Sequence, residues 1–472
     1  MSDFVGREDE FQQLGSWVSS SQAVSAKFII GDGGVGKSRL AAQFAEGLNK
    51  REWAAGFVDL RKPASFLLEK QGTLLVIDYP EESVDDVAEL LRDLAMLSPE
   101  GRFRVLFLTR QKIDDWQGVI DRSRAEDIVD RASLELGRVS SPSGYELYYS
   151  ALERVAEEKG TAPLPLSEES FVDWTGQSPE NSRALFILAA AVHSVLNPEE
   201  EAVRYSGREI IGALVKREIR RLREAARSRG MRDLDAFARL LAMTAIAGEL
   251  HSAEIMDLVR DSNLQLGLDA NTEMREELRT AGVMSGDVVV APKPDIAAAA
   301  FTVNVLSRNV TTASEIIWAS LKQDLEESLN RFARLAYDAE IVLGMHEPKL
   351  SKWLSVAVSG NLVRCKAVEP YFSDVTLPIG WADAAVVMGR TFLEGATSDE
   401  ERARLQNNLS AHLSAVGDRT GALDVIRESV RNISGFSGVQ SCALLAGAGD
   451  EPEHSVESAE RCRRYYGCVG CE

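Results

Sequence analysis

Nowhere does the chain hold an uninterrupted apolar run of the roughly 18 residues needed to cross a bilayer. The longest candidate, Leu185 to Leu196, is broken by His193 and reads as a buried helix. The opening MSDFVGREDE lacks both the basic stretch and the apolar core of a signal peptide. Cysteine is scarce: there are five in 472 residues, an odd number, with Cys462, Cys468 and Cys471 crowded at the C-terminus. That excludes a disulfide framework, and a cytosolic protein with reduced thiols is expected. Zinc on the three C-terminal cysteines would need a fourth ligand, so a disordered or accidental tail is the plainer reading. Histidine is just as sparse, and the five residues at 193, 251, 346, 412 and 454 form no nucleophile–His–acid set. Basic charge is also short. Lys and Arg number 53 against 73 Asp and Glu, a net charge of −20. This balance argues against nonspecific binding to nucleic acid or anionic membranes.

What is present is an ordinary globular composition, 45% hydrophobic and 27% charged, over a length that suggests about three domains. One stretch fixes the chemistry. Residues Gly31 to Ser38, GDGGVGKS, fit G-x-x-x-x-G-K-[ST] at every fixed position. The apolar run Lys27-Phe28-Ile29-Ile30 leads in, and Arg39-Leu40-Ala41-Ala42-Gln43-Phe44 follows as a helix, the strand–loop–helix context of a phosphate-binding P-loop. Gly31, Gly33, Gly34 and Gly36 let the backbone around Val35 turn its amides toward phosphate oxygens. The helix starting near Lys37, with Arg39 in its first turn, adds its positive dipole end. Lys37 is expected on the β- and γ-phosphates and Ser38 on Mg²⁺. A nucleoside triphosphate, taken as ATP with ADP as its product, is the expected cofactor.

Strand and helix signals then alternate: Ala55–Leu60, Thr73–Ile77 and Phe103–Leu108 read as strands, and Val84–Met96 as an amphipathic helix. Apolar strands separated by helices imply a parallel sheet covered on both faces. Ligands of such sheets bind at the carboxyl ends of the strands, which places the P-loop, Asp78 and Arg110 along one edge. Asp78 ends LLVID as a metal-holding acid. Arg110 closes the next strand, where a guanidinium can read a terminal phosphate. Tyr79 stands where many hydrolytic P-loop enzymes carry a second acid. A water-activating carboxylate must come from elsewhere, with Glu81 or Glu82 nearest and a solvated acidic turn as the alternative. Slow hydrolysis is expected.

The combination resembles the STAND class of signal-transducing P-loop ATPases, which includes NB-ARC and bacterial NLR-like proteins. The likeness rests on Phe4-Val5-Gly6-Arg7-Glu8-Asp9-Glu10, on GDGGVGKSRLA, on LLVIDYPEE with VLFLTRQKIDDW, and on Thr175-Gly176-Gln177-Ser178-Pro179. The resemblance implies that Val5, Gly6 and Arg7 pack near adenine and ribose, and that Pro179 touches the adenine. Gln177-Ser178 departs from the family's Gly-Asn at that point.

The same resemblance divides the chain into a P-loop NTPase domain at 1–138, a helical lid at 139–230 and a winged-helix-like domain at 231–312. A helical, tetratricopeptide-like region with a disordered tail follows at 313–472. Within 234–305 three helices and a strand pair around Val283 and Val288–Val290 are read before Pro294-Asp295 opens an Ala-rich helix. Residues Leu409, Ser410, Leu413, Gly417, Ala422, Ile426 and Ser429 fall at tetratricopeptide spacing. Only one such repeat is clear, so its neighbours are degenerate pairs or the array is cut short. The ten basic residues of 204–232 are interleaved with acids and apolar positions, as on a solvated helix face.

The resemblance implies a nucleotide-gated switch. A protein or small-ligand trigger on the C-terminal helical region favours exchange to ATP and homo-oligomerisation, in bacterial defence or regulation. With no effector domain before Gly6, the output falls to a separate effector protein, to the oligomer, or to sequence outside the chain. Two other readings stand beside it. An AAA-type remodelling ATPase requires a second Walker B acid. An ATP-dependent transcription regulator requires a basic recognition helix in 234–305, where Asp257, Asp261, Glu276 and Glu277 lie.

Overall fold

The computed structural model describes residues 6–60, 71–164, 166–261, 264, 266–268, 273–307, 310–346, 350–372 and 381–433. The chain divides into two units, 1–218 and 219–472.

The first unit opens with α1 (Glu8–Val18) and then alternates β1 (Val24–Ile30), α2 (Lys37–Asn49), β2 (Ala54–Phe57), β3 (Gly72–Asp78), α3 (Val84–Met96), β4 (Arg102–Thr109), α4 (Gln117–Ser123) and β5 (Leu134–Glu135). The strands form one parallel sheet in the order β2-β3-β4-β1-β5. Strand periodicity divides each apolar run between two cores. Leu74, Val76, Leu106 and Leu108 face α1 and α2 and pack with Leu14, Leu40 and Phe44. Leu75, Ile77, Val105 and Phe107 face α3 and α4 and pack with Val87, Leu91, Trp116 and Ile120. Burial on both faces is why these strands read as continuous apolar runs. At roughly 25 cal/mol per Å² of apolar surface, the two layers supply the main drive for this unit.

One cation breaks the pattern. Arg104 is fully buried in β4. Its guanidinium donates to the carbonyls of Ser20, Gln22, Ala23 and Phe103 and to the Ser20 hydroxyl. Burial, then the neighbouring Arg102, pulls its pKa down to about 10. It ties the α1–β1 connection to the amino end of β4.

Helices α5 (Ser141–Lys159), α6 (Glu168–Gln177) and α7 (Ala184–Leu196) follow. Phe171, Trp174, Tyr148 and Phe186 are buried among them, and a 3-10 turn, Pro179–Ser182, joins α6 to α7. Helix α8 (Gly207–Ser228) carries the basic stretch and crosses the boundary between the units. Its apolar Ile210, Ile211, Ile219 and Leu222 are buried while most of its cations stay at the surface.

The second unit begins with α9 (Ala236–Ala247), β6 (Glu249–His251), α10 (Ser252–Arg260), α11 (Met274–Thr280), β7 (Met284–Ser285), β8 (Val288–Val290) and α12 (Asp295–Leu306). β8 pairs antiparallel with both β6 and β7. The sequence reading placed the β7–β8 pair but missed β6, whose three residues between two helices are too short to show a period. Then come α13 (Val310–Leu321), α14 (Leu325–Tyr337), α15 (Leu350–Val358), α16 (Leu362–Val368), α17 (Trp381–Glu394), α18 (Asp399–Ala415) and α19 (Arg419–Ile433). Helices α15, α17, α18 and α19 pack each on the next. The α18–α19 hairpin turns at Gly417, whose φ of 84° is the left-handed region glycine favours. Ser410 donates to the Ala422 carbonyl and Ser429 to that of Ala403, so these small residues let the two helices approach closely. Among the described residues no helix is long and apolar enough to cross a membrane. Cys365 is buried, whereas the C-terminal cysteines lie outside the described residues.

Candidate nucleotide site

The P-loop joins β1 to α2 at the carboxyl edge of the sheet. Gly36 caps α2 at φ 102°, a conformation that an L side chain rarely adopts. Gly31 is required for a different reason: a Cβ there would lie 2.7 Å from the Leu136 carbonyl.

Every carbonyl from Gly31 to Val35 accepts a hydrogen bond. Lys37 Nζ donates to Gly31 at 2.5 Å and to Asp32 at 3.2 Å. Arg183 donates to Gly33 at 3.4 Å, and the Leu185 amide to Gly34 at 3.0 Å. Arg7 donates to Val35 at 3.2 Å, while also holding the Gly137 carbonyl and Glu10. The Gly31 amide is used by the Thr109 carbonyl; with the loop's carbonyls occupied, its later amides can serve an anion, which is what a phosphate cradle needs.

Two oxygen donors stand beside the cradle. The Ser38 hydroxyl donates to Asp78 Oδ2 at 2.7 Å. Ser38 stands in the first turn of α2 after β1 and Asp78 ends β3, two strands that β4 separates. A solvent-facing hydroxyl and a half-buried carboxylate are the hard oxygen ligands that Mg²⁺ takes, with water and phosphate oxygens filling the other positions. The residues fit that ion.

The charged groups converge as their places along the sheet predict. Lys37 is buried, and burial followed by the Arg110 charge lowers its pKa from 10.5 to about 8, while Asp78, Glu81 and Asp32 pull the other way. Arg110 lies over the Tyr79 ring at 6.0 Å. Glu81 is not part of a solvated turn. Tyr79 adopts left-handed backbone (φ 55°, ψ 55°) and starts the 3-10 turn Pro80–Glu82, which brings the Glu81 carboxyl back toward Lys37 and Arg110. Its Oε2 is closed off from solvent. Burial raises its pKa against the opposing effects of a Thr109 hydrogen bond and the charges of Arg110 and Lys37. Glu82 instead lines a neighbouring cavity of about 350 Å³ with Phe57, Asp59 and Tyr79.

The other sequence candidates distribute as follows. Gly6 (φ 74°) packs against Ser143 at the start of α5, where a Cβ would collide. Arg7 reaches the loop directly. Arg39 lies half-buried in the first turn of α2. Pro179 is exposed at the head of its 3-10 turn, while Arg183 and Leu185, just after that turn at the start of α7, bond the P-loop. Val5 lies outside the described residues. Sequence reasoning missed Asp32, Thr109 and Arg183. Thr109 stood next to Arg110 at a strand end and was findable; Arg183 lies 150 residues from Gly33 and no spacing marks it.

A parallel sheet with a glycine-rich loop after its first strand, a buried lysine and a Ser–Asp oxygen pair defines a P-loop nucleotide-binding core, here followed by helical domains. No protein family matches the chain, and no curated protein matches it in sequence. Among solved structures it is similar to the Orc1 protein of Aeropyrum pernix in complex with DNA, at 16% identity over 64% of this chain and 94% of that one (TM-score 0.33). It is also similar to a Signal Transduction ATPase with Numerous Domains (STAND) protein with a tetratricopeptide repeat sensor from Pyrococcus horikoshii, at 13% identity over 98% and 84% (TM-score 0.29). The Drosophila ORC bound to DNA is a third, at 14% identity over 64% and 94% (TM-score 0.24). At these identities and scores none of them assigns an activity to this chain.

Proposed function

We propose that this protein is a nucleotide-gated switch of the STAND type that binds ATP and ADP with Mg²⁺ and hydrolyses ATP slowly. The observation that carries this reading is the tying of the P-loop carbonyls by Arg7 before α1 and by Arg183 and Leu185 at the start of α7. A loop held from outside by flanking segments passes its state to them.

Ser38 and Asp78 would hold magnesium, which supplies positive charge against the terminal phosphate oxygens. Lys37 turns from the Gly31 and Asp32 carbonyls to the β- and γ-phosphates. Arg110 faces the γ-phosphate from the end of β4. Glu81 is the water-activating base: its carboxylate accepts the proton of the attacking water, and Thr109 fixes its orientation. Burial raises its pKa.

The element order of 236–306 (helix, strand, two helices, two strands, helix) supports a winged-helix assignment for 231–312. The helices of 139–230 act as the lid. The stacked α15, α17, α18 and α19 support a tetratricopeptide-like sensor within 313–472, where a trigger binds and from which self-association or an effector is controlled in the cytoplasm. A DNA-reading role is disfavoured by α11, since Arg275 pairs with Asp287 at 2.8 Å and Arg279 donates to the Gly286 carbonyl. Cations spent on the β7–β8 turn are not presented to phosphates.

The test is to identify the nucleotide that co-purifies and measure mass in solution with ADP and with a nonhydrolysable ATP analogue. The switch predicts bound nucleotide and a larger assembly with the analogue. A nucleotide-free monomer indifferent to both ligands, and matched by Lys37→Ala, would sink it.

A further inference from the structure

The ion pair between Arg183 and Asp32 has a geometry that the reading above does not use. Asp32 is the second residue of the P-loop, and its charge is felt by Lys37, so it stands at the phosphate end of the cradle. Arg183 is the residue before α7, and its side chain is only 13% exposed against 57% for Asp32. The guanidinium is buried against the loop while the carboxylate reaches into solvent.

The pairing uses the fork poorly. Nη2 meets Asp32 Oδ2 at 2.8 Å, but Nη1 reaches only the Gly33 carbonyl at 3.4 Å. A guanidinium binds a phosphate through two parallel hydrogen bonds, a geometry this single-oxygen contact leaves unfilled. The residue is also fixed in place, because the Leu185 amide holds the Gly34 carbonyl two residues on. A negatively charged terminal phosphate entering beside Asp32 repels the carboxylate and offers Arg183 a better acceptor. A diphosphate lacks the third phosphate and leaves the pair closed.

We infer that Arg183 reads the terminal phosphate of a bound nucleoside triphosphate, and that Asp32 holds its guanidinium in check until that phosphate displaces it. The pair thereby sets the preference between diphosphate and triphosphate and gives α7 a contact that exists in only one nucleotide state. The inference rests on the nucleotide-binding reading.

The test is affinity for Mg·ADP and for a Mg-bound nonhydrolysable ATP analogue, by calorimetry on the full chain. Arg183→Ala is expected to weaken the analogue at least about tenfold more than it weakens ADP, the part common to both nucleotides coming from its lost tie to the Gly33 carbonyl. Arg183→Lys keeps the charge without the fork and falls between the two, which guards against a folding defect in the alanine variant. Asp32→Asn releases the guanidinium and is expected to tighten the analogue severalfold relative to ADP. Equal losses for both nucleotides, or none, would overturn the inference while leaving nucleotide binding intact. A wild-type chain that binds neither nucleotide would remove the nucleotide-binding reading, and this one with it.

Discussion

Replacing Lys37 with methionine separates what the lysine does for the ligand from what it costs the empty protein. Its pKa falls from 10.5 to about 8 because it is buried and faces Arg110. At about 1.4 kcal/mol per pH unit, keeping that ammonium charged costs the folded state about 3 kcal/mol. Its bonds to the Gly31 and Asp32 carbonyls return about 1 kcal/mol each. Lys37→Met therefore stabilises the ligand-free protein by about 1 kcal/mol, or about 2–4 °C in Tm for a unit of this size. The sign with pH is fixed. The unfolded lysine stays protonated to 10.5 and the folded one loses its proton near 8. Between those values the unfolded chain binds more protons, so this residue makes wild-type stability rise with pH. The variant lacks that rise, and its advantage shrinks above pH 8. At a hundredfold excess of Mg·ADP over Kd, wild type gains about 2.7 kcal/mol and the variant gains nothing. Thermal melts at pH 7 and pH 9.5, with and without nucleotide, read all of this. A ligand-free variant melting several degrees below wild type at both pH values would refute the reasoning, because Lys37 would then be a structural tie with no burial cost.

Glu81→Gln should lower ATP turnover about a hundredfold or more while leaving nucleotide affinity unchanged. The wild-type rate should also climb with pH through the raised Glu81 pKa, a limb absent from the variant's pH profile. With Ser38 in the proposed Mg²⁺-holding role, Ser38→Ala should collapse nucleotide affinity with Mg²⁺ toward the value measured in EDTA, as read by calorimetry. Arg104→Met removes the five hydrogen bonds by which a fully buried guanidinium ties the α1–β1 connection to β4 and should cost about 3 kcal/mol in chemical denaturation.

The sheet was legible because burial on both faces turns β1, β3 and β4 into apolar runs that no helix period explains. The P-loop was legible because its backbone geometry demands glycine at fixed spacing. Arg104 was hidden, since a buried guanidinium satisfied by carbonyls leaves no sequence pattern. Glu81 was only half visible. Its proximity to Asp78 showed, but its burial depends on the left-handed Tyr79 and on Thr109 across the sheet. Arg183 could not be read at all, because its role exists only once α7 is folded against a loop 150 residues away.

The five tied carbonyls carry a consequence for how nucleotide leaves. A cradle whose carbonyls are already bonded resists collapse when empty, so a ligand spends little affinity on ordering it. Its stiffness, however, is borrowed from residues at 7, 183 and 185 as well as from its own lysine. A movement outside the cradle is then enough to loosen it. Drawing Arg7 or Leu185 away by an ångström from outside frees one carbonyl, lets its peptide swing, and turns a phosphate-facing amide aside. A change at the starts of α1 and α7 is therefore expected to alter how long a nucleotide stays bound.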